Sequence, residues 1–381
     1  MRFFPAPLKL KLDQLERSHT RRNLSLRRGL DFSSNDYLGF SQDPQLKATI
    51  LPQLEAIPLG SAGSRLLRGH LQIFEDVENV LAQFCGRETA LLYSSGFQAN
   101  MGLLSAVLGP QDLVYSDQYN HASLIDGIRL SGAQKQIYPH FNVPALRGLL
   151  QASAKTSGLK FIVTESLFGM DGDIAPLREL VELAEEFSAL VIVDEAHATG
   201  LWGDFEMNLG GGLVQAMGLS DRVFATIHPG GKAMGMGGGW VCGDAKLKDY
   251  LINCSRAFIF STAPMPLMAI GLSAAVNHWQ SVGRERAQKV LAQAKFLQKV
   301  LREENGLALG NIQGAIVPVI LGENARTLEV AEGLQERGFD VRAIRPPTVP
   351  HGTARLRVTI NSLHSVENIL HLCRALAEVE E

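Results

Sequence analysis

Two stretches of the 381-residue chain place chemically capable side chains directly after short apolar runs. The run Leu190–Val193 leads into Asp194-Glu195-Ala196-His197-Ala198-Thr199-Gly200, so a carboxylate takes the last buried place and an imidazole follows three residues on. A carboxylate there is costly unless donors or a cation meet it. Asp194 could cap the next turn, or it could hold a protonated ring nitrogen. The run Arg222–Thr226 leads into His228-Pro229-Gly230-Gly231-Lys232-Ala233-Met234-Gly235-Met236-Gly237-Gly238-Gly239, where six glycines surround one lysine. A lysine held against a flat cofactor and desolvated beside cationic groups can lose its proton and form a Schiff base. The same segment taken alone reads first as a mobile glycine-rich surface loop with a solvated lysine.

Two phosphate-loop readings of this stretch fail on residue identity. A Walker loop needs glycine at 226 and a hydroxyl residue after the lysine, but Thr226 and Ala233 stand there. A dinucleotide fingerprint opened at Gly235 and Gly237 needs glycine at 240, which is Trp240.

Two further segments follow apolar runs. Ser94-Ser95-Gly96-Phe97-Gln98-Ala99-Asn100 comes after Ala90–Tyr93 and opens a helix pattern reaching Val107. Amides at a helix start, flanked by hydroxyls, suit a phosphate, while Ser94 or Ser95 could instead be an ordinary N-cap. In Asp117-Gln118-Tyr119-Asn120-His121-Ala122-Ser123, the His121 ring could lie over a flat ligand or be a satisfied structural group.

The elements that must position these groups alternate strand-like and helix-like. Strand runs are expected at Ala90–Tyr93, Leu113–Tyr115, Phe161–Thr164, Leu190–Val193 and Arg222–Thr226. Leu71, Phe74, Val77, Leu81 and Phe84 mark an amphipathic helix, and Pro176–Phe187 marks another with proline in its first turn. Such alternation predicts an α/β fold with a mostly parallel sheet, where ligands bind beyond the carboxyl ends of strands. From Gly283 a long helix pattern begins, followed by two strand-like runs around a helix stopping at Gly338. The expected organisation is an N-terminal arm over residues 1–38, its first 30 residues basic and irregular, a large cofactor-binding domain over 39–282, and a smaller C-terminal α+β domain over 283–381.

Composition narrows the function classes. Lys plus Arg is 36 against 39 for Asp plus Glu, a formal charge of -3, so nucleic acid and anionic membranes are not expected partners. Hydrophobic residues at 46% and charged residues at 20% fit a folded chain rather than a disordered one. Cys85, Cys242, Cys254 and Cys373 show no zinc or redox spacing and are expected as buried thiols, with no metal. Pro5, Pro7, Lys9 and Lys11 interrupt any signal-like run, and Ala315–Leu321 is too short to span a membrane, so a cytoplasmic location is expected. The 37 glycines cluster near the loaded segments.

Taken together, the four segments supply a phosphate cradle, a carboxylate for a ring nitrogen, a stacking imidazole and an amine nucleophile. These are the parts that pyridoxal phosphate requires.

The chain resembles the α-oxoamine synthases, fold-type-I pyridoxal phosphate enzymes, from about Asp31 to Ile360. The resemblance is carried by Asp31-Phe32-Ser33-Ser34-Asn35-Asp36-Tyr37-Leu38-Gly39, Gly60-Ser61-Ala62-Gly63-Ser64-Arg65-Leu66, Asn120-His121-Ala122-Ser123, Met170-Asp171-Gly172-Asp173 and Asp194-Glu195-Ala196-His197. Ile344-Arg345-Pro346-Pro347-Thr348-Val349-Pro350 with Gly352-Thr353-Ala354-Arg355-Leu356-Arg357 looks most like members that condense L-alanine with a pimeloyl thioester on the route to biotin.

The resemblance implies that Lys232 carries the cofactor and removes the α-proton of the amino acid. It implies that Asp194 pairs with the pyridine nitrogen, that His197 bonds the phenolic oxygen and that His121 stacks on the ring, bordering the substrate. Gly96 and Phe97 would offer amides to the phosphate, Arg357 and Asn35 would hold the substrate carboxylate, and Arg21 and Thr348 would line the acyl side. The implied partners are L-alanine, pimeloyl-CoA or a pimeloyl carrier protein, and a second copy in a homodimer. Sister activities use glycine with acetyl- or succinyl-CoA, or serine with a long acyl thioester, and a non-catalytic relative is a further alternative.

Two positions depart from the family pattern. Pro229 stands where a phosphate-binding threonine is usual, and Gly169 where a cofactor-contacting serine is usual. Each missing hydrogen bond to a charged group costs roughly 1.5–3 kcal/mol if nothing replaces it, so weaker cofactor retention is expected, with Thr226 or His228 as conceivable substitutes.

Overall fold

The five apolar runs and two segments beside them form a seven-stranded sheet in a computed structural model, which describes residues 4–153 and 157–380. They are β1 (Thr89–Tyr93), β2 (Leu113–Asp117), β3 (Gln134–Tyr138), β4 (Lys160–Glu165), β5 (Leu190–Asp194), β6 (Ala225–Pro229) and β7 (Gly239–Gly243). Their order is β1-β7-β6-β5-β4-β2-β3, parallel throughout except for β7, which is antiparallel to both neighbours. The mostly parallel α/β sheet expected from the alternation is therefore present.

Side chains alternate across this sheet as strand geometry requires. Ile162, Val191 and Val193 face the helices Val143–Ala152 and Leu177–Glu186. Val114, Phe161, Val163, Ile192, Ala225 and Ile227 face the helices Gly96–Val107 and Ala122–Ser131. By the same parity Glu165, Asp194 and Pro229, the last residues of β4, β5 and β6, lie on the second face. Thr226 and His228 lie on the first.

Several elements differ from expectation. The strand placed at Arg222–Thr226 begins later, because Ser220–Arg222 forms a 3-10 turn, so His228 and Pro229 are strand residues rather than loop residues. Gln134–Tyr138 carries too few apolar residues to announce a strand, since it is a largely exposed edge. Gly239–Gly243 was hidden by its flanking glycines. The helix Gln72–Phe84 buries Phe74, Val77, Leu81 and Phe84, as its spacing predicts.

Two compact units emerge from the packing: Asn35–Phe168 with Asp173–Lys289, and the remainder, which comprises the segment ending at Ser34, Gly169–Gly172 and the segment from Val290. The second unit holds a three-stranded antiparallel sheet in the order Ala343–Ile344, Ala354–Thr359, Ile316–Gly322, with helices Asn324–Glu336 and Val366–Glu380. The first of these helices stops before Gly338, whose φ of 85° suits a residue without Cβ. Leu30–Asp31 pairs in parallel with Phe339–Asp340. The basic N-terminal stretch is irregular only in part: Ala6–Arg17 is a helix, none of whose residues is buried, and residues 20–28 have no regular structure. No helix among the described residues is long and apolar enough to cross a membrane.

Candidate active site

Asp194 ends β5 only 3% exposed, and both its oxygens are engaged. Oδ1 accepts the Ala196 amide at 2.9 Å, which is the turn-capping role, and Oδ2 accepts Asn100 Nδ2 at 2.7 Å. The cap therefore uses one oxygen, and the buried carboxylate keeps lone pairs for a further donor. Asn100 lies within the helix Gly96–Val107, and its amide also donates to Ser123 Oγ at 2.9 Å.

Lys232 sits in the loop between β6 and β7, which closes on itself through Gly230 N to Gly238 O at 2.9 Å, Met236 N to Gly230 O at 2.9 Å and Gly235 N to Lys232 O at 2.8 Å. This is an ordered turn rather than a loose surface loop. The lysine amine is 3.1 Å from His197 Nε2, His197 Nδ1 is 2.5 Å from the Tyr37 hydroxyl, and that hydroxyl is 3.2 Å from Asn35 Oδ1. Asn35, Tyr37, His197 and Lys232 thus form one chain of contacts leading to the nucleophile.

The helix start after β1 is built for close approach. Ser95 caps it by accepting the Gln98 amide at 3.1 Å, leaving the Gly96 and Phe97 amides in the first turn without intrahelical acceptors. A Cβ on Gly96 would come within 2.5 Å of Pro229 Cγ, and one on Gly239 within 2.5 Å of Gly96 N. Pro229 therefore packs beneath this turn on the face that carries Asp194. Neither proposed substitute can stand in for the missing hydroxyl. His228 Nε2 meets Thr226 Oγ1 at 2.8 Å and its Nδ1 meets Thr199 Oγ1 at 2.8 Å, and the ring stacks on Trp240 at 5.4 Å on the opposite face.

The expectation of buried thiols holds for Cys85, Cys242 and Cys373 and fails for Cys254. Cys85 and Cys242, distant in sequence, meet beside His228 with donor atoms within 4.8 Å of one another, whereas Cys254 is exposed. Trp240 Nε1 donates to Cys85 Sγ at 3.4 Å, and burial raises the Cys85 thiol well above its usual range.

His121 caps the helix Ala122–Ser131, and its Nδ1 is 2.7 Å from Ser123 Oγ. The ring meets Phe97 edge-on at 6.4 Å. Burial lowers its pKa, the Asp194 charge opposes that and Lys232 adds to it, so the ring is neutral at neutral pH. Its backbone amide donates to Glu165 Oε1 at 2.7 Å. Glu165, Asn100, Ser123 and Tyr37 all belong to this assembly, although sequence reasoning gave none of them a role.

Within the other unit, Arg357 is buried on the strand Ala354–Thr359 and donates from Nε to the Gly169 carbonyl at 2.7 Å and from Nη1 to Thr359 Oγ1 at 3.3 Å. Arg21 pairs with Glu16 at 2.8 Å, an exposed contact. Its neighbour Arg22 donates to Thr348 Oγ1 at 2.8 Å, and Arg345 donates to the Arg21 carbonyl at 3.4 Å. Arg21 and Thr348 are thus held in one region of that unit.

The family model for aminotransferase class I and II matches residues 27–376. The chain belongs to the aminotransferase class I and II family. Within it, the chain is 41% identical over 356 residues to 8-amino-7-oxononanoate synthase from Anaeromyxobacter dehalogenans, covering 92% of this chain and 86% of that protein. Among solved structures, serine palmitoyltransferase from Sphingomonas wittichii superposes with a TM-score of 0.89 at 27% identity, covering 98% of this chain and 96% of the other. 8-Amino-7-oxononanoate synthase from Francisella tularensis superposes with a TM-score of 0.78 at 26% identity, covering 92% and 97%. These neighbours make the fold that of a fold-type-I pyridoxal phosphate transferase.

The residues present fit pyridoxal phosphate. A buried carboxylate, a neutral imidazole and a primary amine converge beside a helix start whose glycine backbone admits no side chain. Two mismatches stand: Pro229 offers the phosphate neither a hydroxyl nor an amide proton, and Gly169 has no side chain to offer the cofactor.

Proposed function

We propose that this chain is a pyridoxal phosphate-dependent acyltransferase that condenses L-alanine with a pimeloyl thioester, with loss of carbon dioxide, to give 8-amino-7-oxononanoate for biotin synthesis. The observation that carries the reading is the 3.1 Å contact between Lys232 Nζ and His197 Nε2, with the buried carboxylate of Asp194 at the end of the neighbouring strand β5. The relatives named 8-amino-7-oxononanoate synthase support the choice of reaction within the family. When bound, pyridoxal phosphate supplies an electron sink for the charge left at the amino-acid Cα.

The chain's own residues do the rest. Lys232 would hold the cofactor, and its Nζ would serve as the base that takes the α-proton of the amino acid and returns it. His197, oriented by Tyr37, presents Nε2 beside that amine. Asp194, held by Asn100 and the Ala196 amide, supplies the negative charge that keeps a ring nitrogen protonated. His121 offers a neutral ring face, and the Gly96 and Phe97 amides of the first helical turn would hold the phosphate. Arg357 and Asn35 hold the substrate carboxylate, with Arg357 a charge-assisted partner for it, and Arg21 and Thr348 receive the acyl donor, as the family resemblance implies. The working form is a cytoplasmic homodimer, the commonest closed assembly.

The test is a set of incubations of the cofactor-loaded protein with pimeloyl-CoA and L-alanine, glycine or L-serine, following carbon dioxide and product by mass. Product from alanine, abolished in Lys232→Ala, is expected. Turnover with glycine alone would overturn the choice of substrate.

A further inference from the structure

Two carboxylates share one rung of the sheet floor. Glu165 and Asp194 are register partners at the ends of the parallel strands β4 and β5, so their side chains leave the same face. Both are almost wholly buried, at 5% and 3% exposure. Their surroundings are unequal. Asp194 accepts from a side-chain amide and a backbone amide, one at each oxygen. Glu165 accepts one backbone N–H, that of His121 at 2.7 Å. Two ionised carboxylates this close and this dry repel strongly, and the one with fewer donors yields.

We propose that Glu165 is a neutral carboxylic acid in the working site, a positioning residue that fixes the backbone of His121 and leaves Asp194 as the one negative charge on that rung. This deepens the reading of the site given above and rests on it only for the purpose served. Four groups bear on Glu165 from the surrounding elements. Asp194 on β5 and Asp117 on β2 favour the protonated form, while Lys232 on the β6–β7 loop and the His121 amide at its helix cap favour the ionised one. Burial dominates them, and the balance lifts the carboxyl up to about 8.

The arrangement has a use for the pocket. His121 hangs from the Glu165 contact through its main chain and from Ser123 through its ring, while Ser123 and Asp194 are bridged by Asn100. The stacking ring and the ring-nitrogen carboxylate are thus referenced to one frame. A second negative charge in that frame would compete with Asp194 for whatever cation the pocket receives.

The test uses the cofactor-free full-length chain, so it does not depend on substrate or on turnover. An infrared pH titration from about pH 6 to about pH 10 should show a protonated-carboxyl C=O band that disappears with a midpoint near 8 in the wild type and is missing in Glu165→Gln. The sign of linkage gives a second readout. An acid whose pKa is raised on folding contributes stability below its unfolded value of about 4.5 and loses it as pH climbs to the folded value. Across that window the folding equilibrium constant of the wild type should fall, relative to Glu165→Gln, by up to on the order of a thousandfold. Were the wild type to lack the band throughout, or the stability gap to stay constant with pH, Glu165 would be ionised and the proposal overturned. Should Glu165→Gln fail to fold, Glu165→Asp keeps an ionisable group at this place, and a band whose midpoint does not move in that variant would belong to another buried carboxyl such as Glu195 and overturn the proposal. A protein that passes both tests yet makes no product from alanine would refute the assigned reaction and leave this inference standing.

Discussion

Lys232 Nζ and His197 Nε2 lie 3.1 Å apart, and the far side of the same imidazole touches the Tyr37 hydroxyl. One directed set of donors satisfies the whole chain: the amine donates to Nε2, Nδ1–H donates to the Tyr37 oxygen, and Tyr37 donates to Asn35 Oδ1. If His197 must instead donate from Nε2 to a cofactor oxygen, the Tyr37 hydroxyl can rotate and donate to Nδ1. Tyr37 therefore serves both tautomers of the histidine beside the nucleophile.

Tyr37→Phe should retain the fold but lose this freedom. One hydrogen bond of roughly 1 kcal/mol corresponds to a drop in kcat of about fivefold. Steady-state kinetics with alanine check it, and a KM change with kcat intact would argue against the tautomer role.

Asn100→Ala removes the donor to Asp194 Oδ2 and the link to Ser123. A buried carboxylate left with one donor fewer costs about 1–3 kcal/mol. The expected result is a lower melting temperature and about tenfold weaker pyridoxal phosphate binding, read by equilibrium absorbance titration. Melting and binding both at wild-type levels would show that Asp194 does not depend on this amide.

Pro229 lies on the site face against Gly96, while Thr226 and His228 are spent on the other face. Pro229→Thr should therefore restore a phosphate donor and tighten cofactor binding by about ten- to a hundredfold, the equivalent of roughly 1.5–3 kcal/mol. An unchanged dissociation constant would mean that the phosphate is already fully served.

How far the sequence revealed this site follows from what kind of information each residue needs. Asp194, Lys232, His121 and Gly96 are legible because each falls at or just beyond an apolar run, and in a parallel sheet that local fact already implies a shared end. Glu165 also ends such a run, but its meaning depends on pairing with Asp194, and register across strands is not local information. Asn100 sits in the middle of a helix pattern, where its type says little, and its partner lies 94 residues away. Tyr37 needs the same long-range contact. The strand Gly239–Gly243 escaped notice because glycine lowers strand propensity, and only the central sheet supplies the partners that override it.

His140 provides a prediction independent of the cofactor. Its Nδ1 is 2.8 Å from Asp117 Oδ1 and its Nε2 is 3.2 Å from Asp173 Oδ2, and the ring stacks on Phe141 at 3.6 Å. Burial alone would lower its pKa, but the two carboxylates outweigh that and carry it up to about 9. A histidine raised above its unfolded value of 6.5 contributes its full stabilisation below that pH and loses it as pH rises through about 9. The contribution is on the order of 3 kcal/mol for a group this enclosed. His140→Gln should therefore melt lower than the wild type near pH 6, and the gap should close progressively between about pH 6.5 and pH 9. A gap that is constant over this range, measured by calorimetry of the cofactor-free chain, would mean that the imidazole is neutral between its two carboxylates and that packing on Phe141 accounts for its place.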